Sequence, residues 1–395
     1  MDGRLTQLVS ANALNRQYGY DKANRIVNLN DPQAFSYTAQ YSYDAKDRLT
    51  QQVLGGQTLK YSYDPNDNRL TQTKTKSGVT STVSDTIASD SNRVTARQGS
   101  ALEYLATGQI TRDAARTYRY DEAGRLLSTQ RDLQGVSYTY NALGQRIKKV
   151  SANNTIYFAY DELGQLLGEY DSQGTMLREY VWLEGRLVGM LSHQLPNQLL
   201  SIHTDHLGSV RAVSQGNRVL WRWDGDQFGD VLPNEDVDAD GQVLTMPIRH
   251  PGQYADVEVG LFYNYYRDYD PVSGRYVESD PIGLDGGLNT YGYVYASPLV
   301  FFDPDGLAAK YQKPENPNKR KGADARQPSG DRERNVAHPD GEEHSRRPKG
   351  GIRLRFPFPF IITPVHPCLL MPALCQNNEA SSCPVSKDSN IGGVA

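Results

Sequence analysis

The sequence predicts an all-β protein built from a repeated β-hairpin, and three observations lead to this prediction. First, the 395-residue chain contains 26 Tyr and 35 Gly, a mixture that suits short pleated strands joined by tight turns. Second, few stretches show the periodicity of an amphipathic helix. Third, variations of the unit Tyr-x-Tyr-Asp-x-x-Gly-Arg-Leu recur, in places at steps of 20 to 23 residues. The chain is long enough for such an array plus an appendage.

Each copy of the unit is typical of one hairpin. The two tyrosines are two residues apart and therefore lie on one face of a strand. Asp-x-x-Gly favours a turn, and Arg-Leu begins the return strand. A single hairpin cannot bury its own face, so neighbouring hairpins must stack into a continuous ribbon. We expect the Tyr and Asp residues to pack and to form turns. The copies contain Tyr18–Tyr20, Tyr41–Tyr43, Tyr61–Tyr63, Tyr118–Tyr120, Tyr138–Tyr140 and, in reduced form, Tyr160.

Charge and cysteine are distributed unevenly. The formal net charge of −4 combines −9 for residues 1–307 (28 Lys/Arg, 37 Asp/Glu) with +5 for residues 308–395 (14 Lys/Arg, 9 Asp/Glu). The acidic part argues against nucleic-acid binding by the main body, whereas the basic tail leaves such binding possible. All three cysteines lie in the tail, so the main body has no disulfide framework. The residues after Met1 do not have the pattern of a signal peptide.

The second half of the chain carries motifs in a definite order. His203-Thr-Asp205-His206-Leu-Gly-Ser is followed by Trp221-Arg-Trp223-Asp and then by Pro251-Gly-Gln-Tyr254. With these motifs and the repeats, the chain resembles the Rhs / YD-repeat family, which includes the C components of Tc toxin complexes and, more distantly, the teneurins. The resemblance implies that the ribbon spirals into a hollow β-shell, or cocoon, that encloses a C-terminal toxin.

The composition and the resemblance together predict four regions. Residues 1–190 are expected to form the YD-repeat array, and residues 191–248 to continue the shell with the Asp-His-Leu-Gly-Ser segment and an acidic loop. Residues 249–307 are the expected core with a self-cleavage motif. Residues 308–395 are the expected variable effector, with a largely irregular tail. Because the chain opens inside a repeat, we expect the C-terminal portion of a longer protein.

Two Asp-Pro-x-Gly-Leu segments, which begin at Asp280 and Asp303, are the candidate reactive feature. From the residues alone, two interpretations stay open. Asp, Pro and Gly at these positions are what a type I turn prefers. Alternatively, two carboxyl groups held close together share one proton, so that one activates water and the other donates a proton.

The resemblance favours the second interpretation. Rhs and Tc C proteins release their C-terminus by aspartyl self-cleavage after Pro-x4-Asp-Pro-x-Gly-Leu, which is complete here from Pro298 to Leu307. The resemblance implies that the scissile bond is Leu307–Ala308. It also implies that Asp280 and Asp303 are the catalytic aspartates and that Arg267 is the arginine that accompanies them. Arg267 would steady an ionised carboxylate, although a purely structural arginine is the alternative.

Two other clusters have the composition of metal sites. His203, Asp205 and His206 are possible ligands by residue type, but they fall in a structural motif of the family. Asp236-x-Asp238-x-Asp240-Gly has the spacing of half a calcium loop, with Pro247 where the bidentate Glu should be. We therefore expect an acidic surface loop, no metal and no cofactor.

The tail offers limited chemistry. A nuclease-like cluster that combines acid/base and phosphate-binding groups is one interpretation, and a solvated charged loop is the other. Its apolar stretch is interrupted by prolines, which argues against a membrane helix. The candidate residues are His338, Glu343, His344 and Arg346.

These expectations combine into a function. We expect a secreted or cell-surface toxin-delivery protein whose β-shell holds its own C-terminal effector, with an upstream shell or secretion partner and an immunity protein. The alternatives are a non-enzymatic YD-repeat adhesion protein that binds carbohydrates or cells, and a truncated remnant of an Rhs element. Of these three functions, only the toxin-delivery protein requires a cut after Leu307.

Overall fold

The computed structural model describes residues 4–33 and 37–311, all within one compact unit, Met1–Asn318. In that part of the chain there is no α-helix, and every strand pair is antiparallel. Strands that are adjacent in sequence are also neighbours in their sheets. The all-β hairpin ribbon predicted from the repeats is therefore confirmed. No described helix is long and apolar enough to cross a membrane.

Two large sheets contain the repeats. The ten-stranded sheet comprises β1 (Gln7–Ser10), β2 (Leu14–Tyr20), β3 (Ile26–Asp31), β4 (Tyr37–Tyr43), β5 (Leu49–Leu54), β6 (Gln57–Tyr63), β7 (Arg69–Lys76), β8 (Val79–Ile87), β9 (Val94–Arg97) and β10 (Ser100–Ala101). The thirteen-stranded sheet comprises β11 (Glu103–Tyr104), β12 (Ile110–Arg112), β13 (Arg116–Tyr120), β14 (Leu126–Arg131), β15 (Gln134–Tyr140), β16 (Arg146–Ser151), β17 (Thr155–Tyr160), β18 (Leu166–Tyr170), β19 (Met176–Leu183), β20 (Arg186–Ser192), β21 (Leu195–Thr204), β22 (Val210–Gln215) and β23 (Arg218–Arg222).

Two smaller sheets follow. The four-stranded sheet comprises β24 (Tyr254–Asp256), β25 (Leu261–Asn264), β26 (Arg267–Asp270) and β27 (Arg275–Tyr276), and the two-stranded sheet comprises β28 (Phe301–Phe302) and β29 (Lys310–Tyr311). Short 3-10 helices span Gly283–Gly286 and Val294–Ala296.

The Asp of each repeat organises its turn. Asp44 Oδ1 accepts hydrogen bonds from the backbone N–H groups of Lys46 (2.9 Å) and Arg48 (3.1 Å), and its Oδ2 accepts one from Arg48 Nε (2.7 Å). The fourth turn residue has a left-handed backbone, as at Gly124 with φ of 80°, which glycine adopts without steric cost. The turn prediction thus has a specific cause, because one carboxylate holds both ends of the turn.

The second tyrosine of each repeat fastens it to the repeat before. Tyr63 Oη donates a hydrogen bond to the carbonyl oxygen of Leu49 (2.7 Å), and Tyr140 Oη donates one to that of Leu126 (2.8 Å). The Arg48 guanidinium lies 4.9 Å from the centre of the Tyr63 ring, a cation–π arrangement. Neighbouring hairpins are therefore joined by side chains as well as by the strand ladder.

The stretch after residue 248 lies against the inner residues of both large sheets. Asp270 pairs with Arg97 and Arg116 at 3.3 Å each, and Asp256 pairs with Arg146 at 2.6 Å. All four strands of its small sheet consist of buried residues, including charged ones. Buried charges need partners, and the arginines of the repeat strands supply them for Asp256 and Asp270.

Candidate functional site

Arg267, Asp280 and Asp303 meet in the interior of this stretch. Their exposed fractions are 3%, 6% and 2%. Arg267 lies on β26, Asp280 follows β27, and Asp303 follows β28. Arg267 Nη2 is 2.9 Å from Asp280 Oδ2 and 3.5 Å from Asp303 Oδ2. One guanidinium nitrogen therefore bridges two carboxyl groups that the chain carries on separate loops.

Asp303 holds the chain segment that leads to Leu307. Its Oδ1 accepts hydrogen bonds from the backbone N–H groups of Gly306 (2.9 Å) and Leu307 (3.2 Å). Its Oδ2 accepts one from Tyr276 Oη (2.8 Å). Leu307 and Ala308 are partly buried. The carboxylate thus fixes the backbone immediately before the Leu307–Ala308 bond.

Asp280 and the carbonyl oxygen of Leu307 both border Gly286. A Cβ atom at Gly286 would lie 2.9 Å from Asp280 Cγ and 2.7 Å from the Leu307 oxygen, and would overlap Asp280 Oδ2. Only a glycine therefore fits between Asp280 and the Leu307 carbonyl group. Asp280 itself accepts a hydrogen bond from the backbone N–H of Ile282 (3.0 Å) through Oδ1, while its Oδ2 pairs with Arg267.

Arg267 is fixed on all sides. Its Nη1 donates a hydrogen bond to the carbonyl oxygen of Thr290 (3.0 Å), and its Nε donates one to that of Gly306. The centre of the Tyr276 ring lies 3.8 Å from its Cζ. The arginine therefore holds the Gly306 backbone and both carboxyl groups in one arrangement, as a planar guanidinium can.

Burial changes the acidity of the two aspartates. It raises the pKa of Asp280, with the Arg267 charge acting in the opposite direction. It also raises the pKa of Asp303, against which the Tyr276 hydrogen bond and Arg267 act. The raised pKa values favour the protonated form of each carboxyl group, and one protonated with one ionised aspartate is the state that acid and base catalysis requires.

A cavity of about 220 Å³ reaches this site. Its lining includes Arg267, Asp303, Gly286 and Leu307. Because one water molecule occupies about 30 Å³ of liquid volume, the cavity has room for the water that a hydrolysis consumes.

The sequence interpretation missed two supports of the site. Asn264 Nδ2 donates hydrogen bonds to Tyr276 Oη (2.7 Å) and to the carbonyl oxygen of Asp303 (2.9 Å). Gly252, with φ of 82°, lies so close to Pro304 that a Cβ atom would be 2.5 Å from its carbonyl carbon. The Pro-Gly-Gln-Tyr motif is visible in the sequence, but nothing local in it signals the contact of Gly252 with Pro304.

A second pair of carboxyl groups was also missed. Asp268, adjacent to Arg267, donates its backbone N–H to Glu278 Oε2 (2.8 Å). Both side chains are buried, and each has one oxygen without a hydrogen-bond partner. Burial raises the pKa of Asp268 to about 7 and that of Glu278 well above its usual value. In sequence, Asp268 and Glu278 differ in no way from the other acidic residues of the chain.

Comparison with known proteins places this architecture in a family. The family model of the Teneurin YD-shell matches residues 4–286. The chain belongs to the YD-shell family. Toxin protein Tse5 of Pseudomonas aeruginosa is 30% identical over 366 residues, covering 74% of this chain and 27% of the relative. Double-stranded DNA deaminase toxin A of Burkholderia cenocepacia is 29% identical over 335 residues, which cover 75% of this chain and 22% of the relative.

A solved structure shares the fold. The crystal structure of TcdB2-TccC3-Cdc42 has a TM-score of 0.60 at 20% identity, covering 74% of this chain and 17% of that one. The Rhs / YD-repeat resemblance inferred from the motifs is therefore confirmed. This YD-shell chain spans about a quarter of the length of the curated relatives.

Both candidate metal clusters of the YD-shell chain have other partners. His203 contacts the hydroxyl groups of Ser10 (2.7 Å) and Ser214 (2.8 Å) through its two ring nitrogens. Asp205 Oδ2 accepts a hydrogen bond from Arg211 Nε (2.8 Å), and its Oδ1 holds a turn like that of the repeats. The Asp-His-Leu-Gly-Ser segment is thus a repeat turn in which the tyrosines have been replaced.

The acidic loop lies on the surface, as expected. Ligand atoms of Asp236, Asp238 and Asp240 lie within 4.8 Å of one another. Arg218 pairs with Asp238 and Asp240, while Asp236 accepts backbone N–H groups of the loop. The tail candidates His338, Glu343, His344 and Arg346 lie outside the described residues.

Proposed function

We propose that this chain is the shell-and-core portion of a toxin-delivery protein that cuts its own backbone once, between Leu307 and Ala308. The observation that carries the proposal is that Arg267 joins Asp280 and Asp303 beside the backbone of Gly306 and Leu307. Because catalyst and substrate belong to one chain, proximity supplies a large effective concentration.

The geometry supports distinct roles for the two aspartates. Asp303, which accepts hydrogen bonds from two backbone N–H groups and a tyrosine hydroxyl, is the ionised base that removes a proton from water. The water oxygen bonds to the Leu307 carbonyl carbon, while protonated Asp280 gives its proton to the carbonyl oxygen. When the C–N bond breaks, the proton on Asp303 passes to the Ala308 nitrogen, and one hydroxyl of the intermediate returns its proton to Asp280. The products are a Leu307 carboxylate and an Ala308 amine.

The relatives support the delivery part of the proposal, because those named above are toxins that share this stretch. We propose that residues 308–395 are the effector that the shell carries, and that the protein is exported. An immunity protein and an upstream shell or secretion partner complete the proposed system. The alternative of a surface adhesion protein predicts a chain that stays whole.

Intact-mass analysis of the purified product tests the cleavage. We expect two fragments that end at Leu307 and begin at Ala308, and one whole chain for Asp280→Asn or Asp303→Asn. Asp285→Asn is the matched control, because Asp285 is an exposed aspartate of the same segment. A folded wild-type chain of full mass would refute the proposal.

A further inference from the structure

The proposed scissile bond lies between two paired strands. β28 precedes the bond and β29 follows it, with Phe301 opposite Tyr311 and Phe302 opposite Lys310. Residues 303–309 form the connection. A cut at Leu307–Ala308 would therefore divide a hairpin and leave one strand on each fragment.

Three residues after the bond contact residues before it. The rings of Phe301 and Tyr311 meet edge to face with centroids 6.0 Å apart. Lys310 Nζ is 3.1 Å from Asp305 Oδ2. Ala309 packs against the main hydrophobic cluster of the shell. The contacts include backbone pairing, an aromatic pair and an ion pair, none of which depends on the Leu307–Ala308 bond.

The side that precedes the bond is supported independently of the tail. Phe301 also packs against Tyr295, with ring centroids 5.6 Å apart, and the backbone N–H of Phe301 donates to the carbonyl oxygen of Ser297 (3.1 Å). β28 therefore keeps its place after a cut and presents a strand edge to which an extended segment can add.

From these contacts we infer that Ala308–Tyr311 stays bound to β28 after the cut, as a short strand added to its edge. The inference rests on the proposed function. The ligand of the β28 edge is the new N-terminal segment of the chain's own downstream fragment. A two-residue pairing is weak in isolation, so this segment acts as a latch that opens without unfolding the shell.

An engineered disulfide tests whether the latch survives the cut. The full chain carries Phe302→Cys and Lys310→Cys, which are directly opposite each other at a separation that a disulfide can span, while Cys368, Cys375 and Cys383 are changed to Ser. Oxidant is added only after intact mass shows complete cleavage. We expect one full-length band without reductant and two bands with it.

Three further variants make the outcome decisive. Val79→Cys with Lys310→Cys places the first cysteine in another hairpin and should give two bands in both gels. Tyr311→Ala in the Phe302→Cys/Lys310→Cys background should slow cross-linking about two- to tenfold, because an aromatic pair is lost. Asp280→Asn in that background keeps the chain whole, and a thiol assay should show the same disulfide.

The possible failures are distinct. Two separate bands after complete cleavage and oxidation would overturn the latch alone. Free thiols in the uncut Asp280→Asn chain would overturn the strand pairing itself. A wild-type chain that is never cut would refute the proposed function and the latch with it.

Discussion

Replacing Tyr276 by Phe removes one hydrogen bond from the candidate base and leaves the rest of the site in place. The Tyr276 hydroxyl donates to Asp303 Oδ2 at 2.8 Å. The ring that stacks 3.8 Å from Arg267 Cζ is retained in phenylalanine. Asn264 Nδ2 loses one acceptor but keeps the carbonyl oxygen of Asp303 at 2.9 Å. The variant therefore isolates the effect of the hydroxyl on Asp303.

The magnitude follows from the charge on the acceptor. A hydrogen bond to an ionised group contributes about 1.5–3 kcal/mol, which corresponds to about 1–2 pH units. Burial raises the pKa of Asp303 and the Tyr276 hydrogen bond lowers it, so its removal raises the pKa further. Since the base must be ionised, the acidic limb of the cleavage profile should move up by about 1–2 pH units.

The assay is cleavage during cell-free synthesis at a series of pH values, followed by gel and intact mass. Below the acidic limb, Tyr276→Phe should cut about ten- to a hundredfold more slowly, and the rate should recover at higher pH. Tyr269→Phe is the control, because Tyr269 is also buried and donates to a backbone carbonyl at 2.7 Å, with no carboxylate involved. The reasoning fails if Tyr276→Phe keeps the wild-type profile, or if Tyr269→Phe shifts it equally.

Two further predictions concern other parts of the site. Gly252→Ala should abolish cleavage, because its Cβ would displace the Pro304 carbonyl; Gly241→Ala, with φ of 85° and nothing within 4 Å, carries the same backbone strain and should still cut. Asp268→Asn should raise the melting temperature at about pH 8 and not at about pH 4. The folded pKa of Asp268, about 7, lies above the unfolded value, so its stabilising contribution is lost as pH rises through 7. The gain is at most about 4 kcal/mol, and equal melting curves at both pH values would contradict it.

The hairpin ribbon was predictable because its determinants are local. The Tyr-x-Tyr spacing sets the buried face, and the Asp of the turn bonds only residues two and four positions later, as Asp44 does. Strand order then follows from chain order, since each hairpin pairs with the next. The division at residues 190, 248 and 307 stays a prediction.

The supports of the site were not predictable, because they are brought together by the packing of distant segments. Gly252 and Pro304 touch only after the small sheet has formed. Tyr276 looks like any other strand tyrosine, although its hydroxyl bonds a carboxylate rather than the carbonyl of a neighbouring repeat. Burial, which raises the pKa of Asp268, is likewise a property of the fold and not of its sequence neighbours.

The two interpretations of Asp303, turn residue and member of a carboxyl pair, are both consistent with the structure and depend on each other. Its Oδ1 bonds the backbone of Gly306 and Leu307, as the repeat aspartates bond their own turns. In a repeat, the other oxygen is taken by an arginine of the same turn, as in Asp44 and Arg48. At Asp303 it faces Tyr276 and Arg267 instead. The turn thus supplies the orientation, and the missing local arginine leaves one oxygen for the distant partners. Asn at position 303 keeps the Oδ1 acceptor and loses the ionisable group, so an uncut Asp303→Asn chain that folds normally would separate the two roles.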